Sequence, residues 1–429
     1  MMKFIHTSDW HLGHSLKGKS RHSEHEQFLA WLYEQALVHQ VDALIVAGDI
    51  FDTSAPSSRA REIYQSFIAK LSHTNIQLIL LGGNHDSVAV LNESKAIAAE
   101  LNAFVIPSTG MAIDEQVLTL REPESNNALA VVCAVPFIRA TDVLRSEAGQ
   151  DDSTKKKALG EAITQHYATL FEMAKVEQAK IETAEKRTVP IIATGHLTAV
   201  GASLSESVRE IYIGTLEAFP ANNFPNADYI ALGHIHKPQI VAKQDHIRYC
   251  GSPIPLSFDE ISYQKKVNLV SFTDESNSPE ITEINVPLFQ ALKTIKGDLA
   301  SIEAQIATLK ETLNGQSLWL NVEVEKQDYL ADLNQKVLDM LQGSAIELLA
   351  LKRSANKDVQ LKQLQATQTL DDLNPDLVFE KLLSFREISK NDESYMPLKA
   401  LFNEIKNEVE TAQIEKEEAS DKPAVDDPL

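Results

Sequence analysis

Short, wholly apolar runs alternate with longer segments of helical spacing over the first two-thirds of the chain, the pattern of a layered α/β domain. Strands are expected over residues 3–7, 43–47, 77–81, 117–120, 129–135, 191–194, 229–232 and 247–250. Helices are expected over 23–39, 58–71, 87–100 and 154–187, the last stopped before Pro190, whose ring cannot continue a helix. Residues 266–272 alternate and are expected to add an edge strand to a second sheet.

From about residue 290 the pattern changes. A helix is expected over 298–309, and Leu318, Leu320, Val322 and Val324 alternate like a half-buried strand. Another helix at 329–341 and a strand at 345–352 complete a small α+β unit without chemistry of its own. Asn374-Pro375 supplies an N-cap and a first helical residue for an amphipathic helix over 377–388. Pro397 opens a second, whose Leu398, Leu401, Phe402, Ile405 and Val409 share a face suited either to its own domain or to a partner. The division expected is 1–280, 281–370 (capping unit), 371–412 (partner-binding helices) and an acidic, disordered tail at 413–429.

A length of 429 residues calls for two or three domains. No apolar leader is seen, and the longest apolar run, 128–137, is too short to span a bilayer, so a cytoplasmic protein that does not enter a membrane is expected. Cys133 and Cys250 have neither disulfide nor metal-site spacing and read as buried small hydrophobes. A formal net charge of −21 excludes a free-standing, charge-driven nucleic-acid binder, because that mode of binding rests on Lys and Arg displacing counterions. Contact with nucleic acid would need metals or a partner.

The candidate chemistry lies where the apolar runs end. Asp9-Trp10-His11, Gly48-Asp49-Ile50-Phe51-Asp52, Gly83-Asn84-His85-Asp86, Gly195-His196 and Gly233-His234-Ile235-His236 each place metal-ligand types at a strand-to-loop junction. Singly, Gly-Asp after a strand reads as a turn and a lone histidine as a surface residue; five ordered fragments of matching type do not. Asp9 and His11 are two apart, as are His234 and His236, so an extended segment would present each pair to one ion. Carboxylate and imidazole without thiolate suit manganese, iron or zinc. Asp9, His11, Asp49, Asn84, His196, His234 and His236 are too many for one ion, and two ions sharing Asp49 would use them all. His14, His22 and His25 are expected at the surface.

These five fragments resemble the calcineurin-like metallophosphoesterases. The resemblance tightens toward that family's DNA-nuclease branch in Asp9 to Gly13, Lys19-Ser20-Arg21, Glu24-His25 to Trp31, His196 to Ser203, Ser207 to Thr215 and Gly251 to Phe258. It implies a two-sheet β-sandwich flanked by helices, with a smaller capping domain and C-terminal helices. It further implies that Asp9, His11, Asp49 and His236 hold one divalent ion, most simply Mn2+, and that Asp49, Asn84, His196 and His234 hold a second. His85 would be the catalytic histidine that meets the scissile phosphate without binding metal, and Asp86 would orient His85 or Asn84. The role of Asp52 is open, because some relatives carry histidine there.

The implied partners are DNA, a second copy of the chain, and a separate ATPase in a heterotetramer; the chain has no GxxxxGK[ST] loop of its own. Lys17, Lys19, Arg21, Arg59, Arg61, Arg209 and Lys237 are candidates for a local phosphate track. Two other readings stay open: a small-molecule phosphoesterase, which would share the motifs but leave the capping unit unexplained, and a non-catalytic scaffold, which would tolerate a missing ligand although none is missing.

Overall fold

The computed structural model describes residues 2–144, 152–200, 203, 218–273, 276–313, 315–325, 333–353, 379, 395–403 and 406. The chain divides into two compact units, one of Met1–His14 with Arg21–Leu288, the other of Ser15–Ser20 with the chain from Phe289 onward.

The elements in chain order begin β1 (Met2–Thr7), β2 (Ser15–Leu16), β3 (Lys19–Ser20), α1 (His22–Val38), β4 (Ala43–Val46), α2 (Ser58–Leu71), β5 (Gln77–Leu81), α3 (Val88–Glu100) and β6 (Ala103–Ile106). There follow β7 (Val117–Arg121), β8 (Ala128–Cys133), α4 (Ala140–Val143), α5 (Asp152–Glu185), β9 (Ile191–His196), β10 (Tyr229–Gly233), β11 (Gln239–Val241), β12 (Gln244–Tyr249), β13 (Lys266–Thr273) and β14 (Ser276–Asn285). The second unit continues with β15 (Ala291–Gly297), α6 (Leu299–Thr312), β16 (Leu318–Val324), α7 (Leu333–Leu341) and β17 (Ile346–Arg353).

The first unit is a sandwich of two six-stranded sheets, ordered β14-β13-β1-β4-β5-β6 and β11-β12-β10-β9-β8-β7. Strands β4 and β5 are buried along their whole length, which is why they read as unbroken apolar runs rather than alternating ones. Phe4, Ile45, Ile79 and Phe272 from one sheet meet Val132, Ile192, Tyr229 and Ala231 from the other in a single core. The outer face of the second sheet is closed by α5 through Leu159, Ile163, Tyr167, Leu170 and Ile181. Trp10, at the exit of β1, packs edge-on against Phe28 of α1 and Phe67 of α2.

Strand β13 corrects the sequence expectation of an edge strand in the second sheet. It lies inside the first sheet, antiparallel to β1 from Met2↔Phe272 to His6↔Asn268, with β14 as the true edge. Alternation shows which residues face a core but not which sheet supplies it. Here the choice is made by Phe272 stacking on Phe4 at 6.5 Å and by buried Asn268 donating to the Tyr229 hydroxyl at 3.3 Å. Both cysteines are buried and unpaired.

In the second unit all three strands of the β15-β16-β17 sheet run parallel, and a helix connects each successive pair. The expected α+β unit is therefore an alternating βαβαβ unit, since parallel neighbours require a crossover. Its central strand β16 is buried at every position but Glu323, beyond the half-burial expected. The β2–β3 hairpin groups with this unit, and Lys19 Nζ lies 2.8 Å from Glu347 Oε2. Residues 395–403 are helical. The remainder of the expectations for 374–409, the tail and the 207–215 stretch with Arg209 lie outside the described residues. Among the described residues no helix is long and apolar enough to cross a membrane.

Candidate metal centre

Parallel strands β1, β4, β5, β9 and β10 all end at one edge of the sandwich, and each delivers one of the five fragments there. Two exits are laced together by backbone bonds, Asp9 N to Gly48 O at 2.9 Å and His11 N to Asp49 O at 3.0 Å. The convergence is not achieved by extended backbone, as the two-residue spacing suggested. Asp9, His11, Asp49 and His234 have φ of 52°, 48°, 50° and 92°, left-handed conformations that non-glycine residues avoid and that cluster at functional sites. Close approach also needs Gly48: with φ at +91°, a Cβ there would lie 2.2 Å from His196 Nδ1.

The ligand-type atoms gather in sets. Asp9, His11 and His236 form one and Asp49, His196 and His234 another, each with its atoms within 4.8 Å of one another. The His234/His236 pair is thus split between two sets, because His234 turns in the left-handed region and the next two residues carry His236 to the far side. Asp49 sits between the sets: its Oδ2 lies 3.5 Å from His11 Nε2 and 3.2 Å from His196 Nε2. Asn84 Oδ1 lies 2.9 Å from both His196 Nε2 and His234 Nδ1.

The outer nitrogens decide which inner ones are available. His196 Nδ1 donates to the Ala47 carbonyl at 2.8 Å, His236 Nδ1 to Glu260 Oε1 at 2.9 Å, and His11 Nδ1 lies 3.2 Å from Asp52 Oδ1. The bonds of His196 and His236 fix tautomers that turn Nε2 inward, the arrangement of metal-binding histidines. Both ring nitrogens of His11 are buried and make no hydrogen bond. Lone pairs turned toward one another at about 3 Å repel unless a proton or a cation lies between them, so this donor set fits divalent ions.

The charges are tightly interdependent. Burial would lower the His196 pKa, but the adjoining Asp49 carboxylate outweighs it and raises it to about 9. Burial, with the neighbouring His196 charge, pushes His234 down to about 3. Burial works to raise Asp49, yet His196, His85 and His11 together hold it well below the usual carboxylate range.

His85 stands beside both sets. Its backbone N–H donates to Asp49 Oδ1 at 3.0 Å, its Nδ1 to the Asp52 carbonyl at 2.8 Å, and its ring lies 4.9 Å from that of His11. His85 Nε2 is the ring nitrogen outside that bond. Asp86 holds backbone rather than the side chains of His85 or Asn84: its carboxylate accepts from Ile50 N, Phe51 N and Gly83 N at 3.0, 2.9 and 2.7 Å, tying the Asp49 loop to the Asn84 loop. Burial, reinforced by Asp49, raises its pKa to about 6.

Three supporting residues escaped the sequence reading. Glu260 and Lys265 form a buried ion pair behind His236, and His14 bridges Asp52 Oδ1 and the Leu256 carbonyl at 3.0 and 2.9 Å. The available signal was slight, an acid closing an apolar stretch with a lysine five residues on. Three expectations are corrected. His14, expected at the surface, has a side chain only 14% exposed and held by its bonds to Asp52 and Leu256. Arg21 is fully buried, forking onto Glu24 and the Pro255 carbonyl, and so is withdrawn from any phosphate track. His25 is fully buried in α1, which turns it toward the core beside Phe28 and Leu29 rather than to the surface. Arg59 pairs with Glu26 and Glu62, and Arg61 with Glu93.

The family profile described as calcineurin-like phosphoesterase matches residues 2–238, and the chain belongs to that family. A second profile, described as the Type 5 capsule protein repressor C-terminal domain, matches residues 288–387. Among curated proteins the chain is 44% identical over 392 residues to SbcD, one of the subunits of the nuclease SbcCD, from Escherichia coli (strain K12), covering 91% of this chain and 95% of that protein. It is 37% identical over 278 residues to the protein of the same name from Rhodobacter capsulatus, covering 63% and 66%, and 30% identical over 339 residues to that of Bacillus subtilis, covering 77% and 81%. The fold is that of a calcineurin-like phosphoesterase, and the enzyme is a phosphoesterase dependent on divalent metal ions.

Proposed function

We propose that this chain is the nuclease subunit of an SbcCD-type complex, hydrolysing DNA phosphodiesters as an exonuclease on duplex ends and an endonuclease on single strands and hairpins. In this reading Asp9, His11, Asp49 and His236 hold one Mn2+ ion, and Asp49, Asn84, His196 and His234 hold the other. The observation that carries it is that Asp49, a member of the His196–His234 set, also reaches His11 of the Asp9–His236 set, with the His85 side chain beside them. When bound, two such ions supply an activated water and clamp the phosphate oxygens. The chain's own residues do the rest. Asp52 and Glu260 orient the imidazoles of His11 and His236, and Asp86 holds the two loops in register. As the imidazolium, His85 keeps one proton on Nδ1 for the Asp52 carbonyl and delivers the other from Nε2 to the leaving oxygen, returning to the neutral ring.

The partners in this reading are DNA, an SbcC-type ATPase and a second copy of the chain, in a cytoplasmic heterotetramer serving DNA repair, recombination and replication. The relatives' name makes each of them one subunit of a larger nuclease, SbcCD, and so supports a partner subunit. The helices expected over 377–409 are the docking segment, an apolar helix face laid into a partner groove. Truncation before Leu377 should abolish co-purification with the ATPase and spare hydrolysis of a small phosphodiester; intact association would sink the docking assignment. The decisive assay compares Mn2+-dependent cleavage of linear DNA with that of a generic phosphodiester, with and without the partner. Activity on the generic ester alone, in both conditions, would favour a small-molecule phosphoesterase instead.

A further inference from the structure

Resting on the reading above in which Asp9 is a metal ligand, we propose that Ser8 and Cys250 are positioning residues for Asp9, the last links of a buried hydrogen-bonded chain that starts at Asn268 and crosses between the two sheets.

The chain begins on β13, where Asn268 Nδ2 donates to the hydroxyl of Tyr229 on β10 at 3.3 Å. The amide nitrogen can only donate, so the Tyr229 proton is free for His6 Nδ1 of β1, 3.0 Å away. The neutral His6 ring then carries its proton on Nε2, which faces Cys250 Sγ, just past β12, at 3.6 Å. Cys250 Sγ lies 3.1 Å from Ser8 Oγ, and Ser8 Oγ donates to Asp9 Oδ2. A hydroxyl has one proton and a carboxylate can only accept, so the last two bonds run from thiol to hydroxyl and from hydroxyl to carboxylate. Burial pushes the Cys250 thiol up, which keeps its proton on sulfur for this bond. Every donor in the chain points toward Asp9.

None of these side chains is more than 2% exposed, so water does not compete for the donors and each bond polarises the next. The other oxygen of Asp9 accepts from His234 N at 2.8 Å. Without Ser8 one carboxylate oxygen is free to turn, and a ligand that must be ordered as it binds is a weaker one. Cys250 acts through Ser8: with the thiol proton on its oxygen, the hydroxyl is left to aim its own proton at Asp9. Cys133 supplies the contrast, because it is just as buried but lies in the apolar cluster with Val131, Val135 and Ile191.

The test is a Mn2+ titration of the full-length metal-free protein, with free ion followed by its electron paramagnetic resonance signal. Ser8→Ala and Cys250→Ala are each expected to weaken one of two bound ions by about tenfold and to leave the other within about threefold, as for loss of a group behind a ligand. Cys250→Val, which fills the space without a donor, should bind as Cys250→Ala does. The Ser8→Ala/Cys250→Ala double variant should bind as Ser8→Ala alone, since the thiol has no other route to Asp9. Cys133→Ala should bind as the wild-type protein. Unchanged binding in both Cys250 variants, additive losses in the double variant, or an equal loss in Cys133→Ala would each overturn the positioning chain and leave the two-ion reading standing. A wild-type protein that takes up fewer than two ions at saturation would overturn both.

Discussion

His85 Nδ1 and the Asp52 carbonyl oxygen are 2.8 Å apart, and because a carbonyl can only accept, the proton of the neutral ring sits on Nδ1. In the proposed role the other nitrogen, Nε2, takes up a second proton and gives it to the leaving oxygen. His85→Gln is expected to retain both ions and to lower kcat on a phosphodiester by about 10²–10⁴-fold, the usual worth of a positioned general acid. Metal content and turnover measured on the same preparation check this. Loss of an ion in the variant would make His85 a ligand.

Asp49 belongs to the His196–His234 set, 3.2 Å from His196 Nε2, and its Oδ2 also lies 3.5 Å from His11 Nε2 of the Asp9–His236 set, whereas His11 and His196 share no set. Asp49→Ala should therefore lose both ions, while His11→Ala and His196→Ala should each lose mainly one. Elemental analysis after gel filtration distinguishes the cases. An Asp49→Ala protein that keeps two ions would end its assignment as the bridge.

Much of the first unit was legible because its parallel strands are covered on both faces and so write themselves as continuous apolar runs; residues 58–71 and 77–81 were located to the residue. The residues that the structure brings to one edge were legible because each follows such a run. Hidden from view was whatever depends on pairing across long stretches of chain. Residues 266–272 alternate equally well for either sheet, and only contacts with Phe4 and Tyr229 decide between them. Glu260 carries no local sign of its place, since nothing near it in the chain shows that Lys265 and His236 close over it. Arg21 looked like a phosphate ligand for the same reason, its partners being Glu24 and a carbonyl 234 residues away. The left-handed turns at Asp9, His11, Asp49 and His234 were illegible too, as these residue types carry no preference strong enough to announce them.

Gly48 joins β4 to Asp49 at a φ of +91°, with room for no side chain beside the His196 ring. Gly48→Ala should cost about 1–3 kcal/mol from backbone strain alone. It should also push His196 away from Asp49, weakening ion binding at the His196 set before the fold is lost. Denaturant unfolding together with metal titration reads both effects. A variant of unchanged stability and affinity would show that the loop yields without consequence.

His6 lies wholly buried between the sheets, bonded through Nδ1 to the Tyr229 hydroxyl at 3.0 Å, with Cys250 Sγ 3.6 Å from its Nε2. Burial lowers its pKa from 6.5 to about 3, against a smaller opposing pull from the Leu232 backbone. Between those values the unfolded chain binds a proton that the folded chain refuses, so the unfolded state gains as pH falls. The stability contributed by neutral His6 is complete above pH 6.5 and is lost on acidification toward pH 3, by about 1.4 kcal/mol per pH unit. Other buried groups titrate in the same window, so the quantity to measure is the difference in slope between the wild-type protein and His6→Gln, each unfolded in urea at about pH 6 and about pH 5. The variant should start less stable, for want of the Tyr229 contact, yet decline more gently with acid. Parallel declines would mean that His6 accepts its proton in the folded state, and that the buried pocket between β1 and β10 is wetter than its packing indicates.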